Sequence, residues 1–345
     1  MIKFPKPLVP GCTIAVTAPS SGVSGTALGR LDLVLDFLRS QGFAVVEGAC
    51  LRNQHKDASA DATTRARELT SFLLNPEIAA VLPPWGGELA TEVLDLIDFE
   101  ALRAAEPKWV LGYSDLSTLQ LPLTLVSHWA TAHGPNMMDL APTQTDKLTT
   151  RALSVLAADW ADPVVQHSSS RYEKNFTPYE ERVDAPFNLT EQTRWRRLDG
   201  ASADIKFQGR LIGGCLDTIA WLAGTRYGDI SSYTQGNGDT GTILFLENAE
   251  MSPAGLVRCL LSLRRQGWFD GLAGLLIGRS AAPDPSSPDR LGYAEALAAC
   301  LQGLPYPVLV DVDIGHRPPQ FTLVNGARAD VVFTERGSSI TQHSS

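Results

Sequence analysis

From residue 26 to residue 41 the chain reads TALGRLDLVLDFLRSQ, with apolar side chains at Leu28, Leu31, Leu33, Val34, Leu35 and Leu38. That spacing is the buried face of a helix, and Gly42 ends it. Short apolar runs without helical period lie on either side: CTIAVTA at 12–18 and FAVVEG at 43–48. Both predict buried strands. The alternation continues with a helix over 60–75 that has Asp61 near its start, and a strand over 78–85 that ends at Gly86-Gly87. A helix over 87–98 and a strand at Trp109–Leu111 follow, then Gly112-Tyr113-Ser114-Asp115 leading straight into another amphipathic segment. Strands and helices in strict alternation predict an α/β fold: a parallel, Rossmann- or flavodoxin-like sheet with helices on both faces.

Residues 165–205 break the pattern. They are polar and charged, hold no sustained period, and are too long for an ordinary connection. We therefore expect an N-terminal domain over 1–165, a long polar loop over 166–205 and a second α/β domain over 206–345. In that second domain GRLIGGCLDTIAWLAG at 209–224 predicts a glycine turn entering an apolar helix, and 241–248, 272–279 and 307–316 predict strands. A helix is expected over 252–267, with Ser252 as its cap, Pro253 at its first position and Gly267 at its end. The tail from about Glu335 is expected to be disordered.

Composition narrows the function. At 345 residues the chain exceeds what one core usually serves. A net charge of −9, with Arg194, Arg196 and Arg197 as the densest basic cluster, argues against a nucleic-acid partner. The five cysteines, an odd number with no C-x-x-C, point to a reducing, cytoplasmic setting rather than to disulfides or a zinc site. No apolar run approaches a membrane span, and the proline-broken start lacks the core of a signal peptide. Neither a membrane nor a cofactor is expected.

A serine at the crest of a sharp strand-to-helix turn can expose its hydroxyl beneath helical N–H groups able to stabilise an oxyanion. Gly112-Tyr113-Ser114-Asp115-Leu116 lacks the second glycine of G-x-S-x-G, so from this string alone Ser114 reads first as a helix cap, with Asp115 supporting the helix dipole. A nucleophile needs a base. Of six histidines, His343 lies in the tail, His167 opens the polar loop, His55 sits in a polar stretch, and His128 and His133 flank a short segment. His316 closes a strand, where parallel α/β folds place their sites. Glu247 ends the apolar run TILFLE, where an unpaired carboxylate is costly to bury.

Several pieces carry a resemblance together: TAPSS, WGGELA at 85–90, PKWVLGYSDLSTL at 107–119, AHGPNM at 132–137, GRLIGGCLDTI at 209–219, LFLEN at 244–248 and DIGHRP at 313–318. In order and spacing the chain resembles the L,D-carboxypeptidase family of serine peptidases, which includes the microcin C immunity carboxypeptidases. The resemblance implies a Rossmann-like N-terminal domain and a C-terminal α/β domain, with the active site in the cleft between them. It also implies a Ser114–Glu247–His316 triad and an oxyanion hole from the backbone N–H groups of Gly87 and Asp115. Substrate contacts would come from Gly86, Glu88, Tyr113, Tyr179 and Cys215, no metal would be required, and a homodimer is expected.

The resemblance leaves substrate open. Microcin-processing members carry a loop tryptophan that stacks on adenine, where this chain has Tyr179. They also carry an asparagine and a lysine where this chain has Cys215 and Met251. Three readings follow: a carboxypeptidase acting on murein tetrapeptide or a related small peptide, the same chemistry on a peptidyl- or aminoacyl-nucleotide, and a non-catalytic small-peptide-binding protein. Arg194, Trp195, Arg196 and Arg197 either line the cleft or, with Trp195 as an anchor, hold the loop to the core.

Overall fold

The computed structural model describes residues 1–179 and 181–344. Two sheets organise it. In the first half β1 (Thr13–Val16), β2 (Ala44–Glu47), β3 (Ile78–Val81), β4 (Trp109–Gly112) and β5 (Thr131–His133) run parallel. Then come β6 (Val164–His167), β7 (Arg171–Glu173), β8 (Leu189–Gln192), β9 (Arg196–Arg197) and β10 (Ile205–Cys215). The second half adds β11 (Thr242–Glu247), β12 (Gly274–Gly278), β13 (Val308–Val312), β14 (Leu323–Asn325), β15 (Arg328–Phe333) and β16 (Ser339–His343).

The first sheet has the order β14-β5-β4-β3-β1-β2 and the second β6-β16-β15-β10-β11-β12-β13-β9, while β7 and β8 form a separate hairpin. The centre of the second sheet, β10 to β13, is parallel. Each half lends a strand to the other: β14 pairs with β5, and β6 pairs with β16. The fold is thus α/β with two sheets, each carrying one edge strand from the other half of the chain.

The expected helices form for the expected reasons where their ends are capped. The Asp61 side chain accepts from Thr64 N at 2.9 Å at the start of helix Ala62–Leu74. Ser252 caps helix Pro253–Arg265, with Pro253 at a position whose missing N–H is not needed. Helix Ser117–Leu125 is buried from Ser117 to Thr124, because it lies between the two sheets. Its Gln120 donates to Gly112 O at 2.9 Å and Ala132 O at 2.8 Å, fixing it beneath β4 and β5.

Three expectations are corrected. The helix over 87–98 is only a 3-10 helix, Ala90–Leu96, because Gly86–Leu89 is drawn out as a non-helical turn beside Ser20, Ser21 and Ser114. The glycine turn over 209–224 is instead the long strand β10, with helix only over Leu216–Ile219 and a 3-10 turn over Ala220–Leu222. Gly213 and Gly214 lie within that strand because a Cβ on Gly213 would collide with Phe245 O, and one on Gly214 would fall 2.7 Å from the Ser117 side chain. The tail is not disordered: β16 pairs with both β15 and β6, and Ile340 and Gln342 are fully buried. Gln342 accepts from Val324 N at 2.8 Å and donates to Thr322 O at 2.9 Å.

Candidate active site

Ser114 sits just past the carboxyl end of β4 with φ of +65°, a left-handed conformation rare outside glycine. Such strain in a non-glycine residue persists only where its surroundings enforce it. Gly86 packs against Ser114 so closely that a Cβ there would lie 2.8 Å from Ser114 Cβ and from Asp115 N. Gly112 is held as closely beside Leu116 and Asn136, and Asn136 Oδ1 accepts from Tyr113 N at 3.1 Å.

Asp115 locks this turn to the glycine turn. Its Oδ2 accepts from Ser20 Oγ at 2.6 Å and Ala90 N at 2.8 Å, and its Oδ1 accepts from Thr118 Oγ1 at 3.0 Å. Burial pushes its carboxyl above the usual range, against the pull of those donors. Gly87 has φ of +140°, with the Ser20 and Ser21 hydroxyls where its Cβ would be.

Two segments bring the remaining groups to Ser114: the end of β11 carries Glu247, and the turn that follows β13 carries His316. His316 Nε2 stands 3.0 Å from Ser114 Oγ, and His316 Nδ1 stands 2.9 Å from Glu247 Oε2. The carboxylate selects the tautomer with hydrogen on Nδ1, which leaves Nε2 free to accept the serine proton. Glu247 is fully buried at the end of β11. Burial works to raise its carboxyl pKa, but the charge and hydrogen bond of His316 prevail and hold it below the usual range. Burial works to lower the His316 imidazole, and Glu247 more than offsets this, so His316 is more basic than an ordinary histidine. The Gly315 backbone passes so close to the Glu247 carboxylate that a Cβ there would collide with it.

The other histidines stay apart from this relay, with one exception in position. His133, at the end of β5, is fully buried, and burial pushes it down to about 4. It lies edge-on to Tyr113, which in turn packs edge-on to His316 at 4.7 Å between ring centres. Cys215 ends β10 directly opposite Glu247 in the strand register.

A cavity of about 430 Å³ opens beside His316. Trp85, Tyr113, Phe176 and Tyr179 give it an aromatic wall, and Asp139 reaches its lining. Tyr179 is thus brought to the site, its hydroxyl 3.3 Å from Asp139 Oδ1. Burial pushes the Asp139 carboxyl up to about 6. Sequence reasoning missed Arg30, which fixes this wall. It donates to Met138 O, Val183 O and Ala185 O, and its guanidinium lies 4.6 Å from the Tyr179 ring centre. No motif marks it, because its partners are backbone carbonyls far along the chain.

The other candidates fall as follows. Gly86 and Tyr113 line the serine. Glu88 is exposed, its carboxyl raised by partial burial and by neighbouring acids, Glu250 first among them. Met251 packs against the core. Trp195 anchors the polar loop: it is buried against Phe321 and donates to Asp313 Oδ2 at 2.7 Å. Arg196 pairs with Asp311 and Arg197 with Asp199, on the far edge of the second sheet. Asp217 was not anticipated; its carboxylate accepts from Ala249, Glu250 and Met251 N and so holds the segment after Glu247.

Comparison with known families decides the lineage. The LD-carboxypeptidase N-terminal domain matches residues 14–134, and the LD-carboxypeptidase C-terminal domain matches residues 208–331. The chain belongs to the LD-carboxypeptidase family. It is 26% identical over 351 residues to the microcin C7 self-immunity protein MccF of Escherichia coli, covering 97% of this chain and 95% of that protein. It is also 26% identical to a Bacillus subtilis protein described as a probable murein peptide carboxypeptidase, over 97% of this chain and 93% of that one. The structure of MccF in complex with aspartyl sulfamoyl adenosine superposes with a TM-score of 0.84 at 24% identity, covering 100% of this chain and 99% of that one. That likeness establishes the shared fold. Among the described residues no helix is long and apolar enough to cross a membrane.

Proposed function

We propose that this protein is a serine carboxypeptidase that cleaves a C-terminal amide bond through an acyl-enzyme. The observation that carries the reading is the continuous line from Ser114 Oγ through both ring nitrogens of His316 to the buried Glu247 carboxylate, at 3.0 and 2.9 Å. His316 takes the serine proton as Oγ attacks the carbonyl, and Glu247 holds the imidazole's tautomer and stabilises its charged form. The backbone N–H groups of Gly87 and Asp115 receive the oxyanion. The proton passes to the leaving amine, and water then attacks the acyl-enzyme with His316 as base again.

The first substrate reading is a murein tetrapeptide or a related small peptide, in the cytoplasm, with the enzyme a homodimer. A second reading, a peptidyl- or aminoacyl-nucleotide, is favoured by the aromatic wall of the 430 Å³ cavity, where Tyr179 offers a ring face. The test is a mass-spectrometric digest of murein tetrapeptide and of an aminoacyl sulfamoyl adenosine side by side. Release of the terminal D-alanine supports the first reading. Cleavage of the nucleotide alone supports the second, and Tyr179→Ala should then raise KM with little change in kcat. Hydrolysis of neither, nor of any small peptide, overturns the proposal in favour of a binding protein.

A further inference from the structure

We infer that Cys215, Glu247 and His316 also form a binding site for a single thiophilic divalent cation such as zinc, and that occupancy switches the triad off. Sγ of Cys215, a carboxylate oxygen of Glu247 and a ring nitrogen of His316 all lie within 4.8 Å of one another. Cys215 and Glu247 are held there by strand register, at the ends of neighbouring parallel strands. Bond lengths of about 2.0–2.3 Å in a tetrahedral zinc site place ligand atoms roughly 3.3–3.8 Å apart, so shifts of about 1 Å complete the geometry.

The two buried ligands are already in contact. Glu247 is fully buried, and besides His316 the Cys215 thiol hydrogen-bonds to its carboxylate. A cation that displaces the thiol proton turns that hydrogen-bonded pair into two ligands of one ion. The charges balance, since one thiolate and one carboxylate neutralise a divalent ion, whereas an uncompensated charge in a buried site is costly. The ion has a route in, because the His316 side chain is 23% exposed to the cleft.

Binding and catalysis exclude each other at one atom. The Cys215 thiol gives its proton to solvent as the sulfur–metal bond forms. The ion takes the Nδ1 lone pair of His316, so the ring hydrogen must reside on Nε2. Nε2 can then no longer accept the proton of Ser114. One proton is released per ion bound, and the base is lost.

The test is a cadmium titration of the purified chain, read by the ultraviolet thiolate-to-cadmium charge-transfer band. One equivalent per chain should produce the band. It should vanish in Cys215→Ser and Cys215→Ala, and persist when the two partly exposed cysteines, Cys12 and Cys259, are both changed to alanine. Zinc should suppress turnover of the wild type at least tenfold. Cys215→Ser, compared with its own metal-free rate, should need at least ten times more zinc for the same suppression. Absence of the band in the wild type, or a band that survives the loss of Cys215, overturns the inference. The inference rests on the geometry of the proposed triad, but the band does not depend on turnover. A chain that binds cadmium without hydrolysing anything therefore refutes only the peptidase reading.

Discussion

Glu247 closes β11 with its side chain fully buried. A carboxylate closing six buried strand positions has to be paired, and its partner is His316 at 2.9 Å. The pair predicts a pH response with a definite sign. In the proposed mechanism His316 acts as base only when unprotonated, and Glu247 holds its pKa above that of an ordinary imidazole. Activity should therefore fall with decreasing pH through that raised value. Glu247→Gln removes the charge that raises it. The variant should lose on the order of 10⁴ in kcat, and the acid limb of its kcat/KM profile should move to lower pH; an unmoved limb would show that another group is being titrated. Gly86→Ala tests the crowding at Ser114. With a Cβ 2.8 Å from Ser114 Cβ and Asp115 N, kcat should fall by about 10² or more. A rate near wild type would mean that the turn yields freely.

At the scale of elements, the strand-to-helix turn at 112–116 and the glycine turn at 86–90 act as one unit, joined by the Asp115 carboxylate. Asp115→Ala strands the buried Ala90 N–H and the Ser20 hydroxyl, so it should destabilise the fold by about 1–3 kcal/mol. Chemical denaturation checks this, and no change in midpoint would refute the link. The alternation of strands and helices was legible because each short apolar run is flanked by punctuating residues: Gly42 after the first helix, Gly86-Gly87 after β3, Pro253 at the start of its helix. The errors came from tertiary contacts that local pattern does not encode. Val93 and Leu94 fit a helical period, yet the chain around them is held by Asp115 from another element. Gly213 and Gly214 looked like a turn because nothing local shows that Phe245 and Ser117 press against them. Ser114 and Glu247 stood out because they lie just past or at a strand end, whereas His316 lies four residues beyond β13, which stops at Val312 and does not run on to 316 as expected. Arg30 and Asp217 were missed because they serve backbone groups that only the fold brings near.

Across the whole molecule, the two sheets are sewn together by strands that cross between them. The C-terminal strand β16 is part of this seam: it pairs with β15 and β6, and it buries Ile340 and Gln342. Its alternation of Ile340 and Gln342 with Ser339, Thr341 and His343 is a strand pattern, but with one apolar inward residue it is too weak to stand out in a polar tail. Deleting residues 336–345 should therefore lower the melting temperature by several degrees or more. A truncated chain that melts like the full one would mean that the tail contributes nothing. Helix Ser117–Leu125, buried between the sheets, places the serine from one half against the glutamate and histidine from the other, so a serious loss of the seam should reduce activity together with stability.

The most direct measurement is turnover by Ser114→Ala beside the wild type, on whichever substrate the wild type cleaves, with binding followed by calorimetry. The serine side chain makes its contact to His316 without being needed to form the turn, so the variant should bind substrate with an affinity near that of the wild type. Its hydrolysis should fall by several orders of magnitude. Hydrolysis at an undiminished rate would show that the reaction does not pass through Ser114 and would overturn the triad.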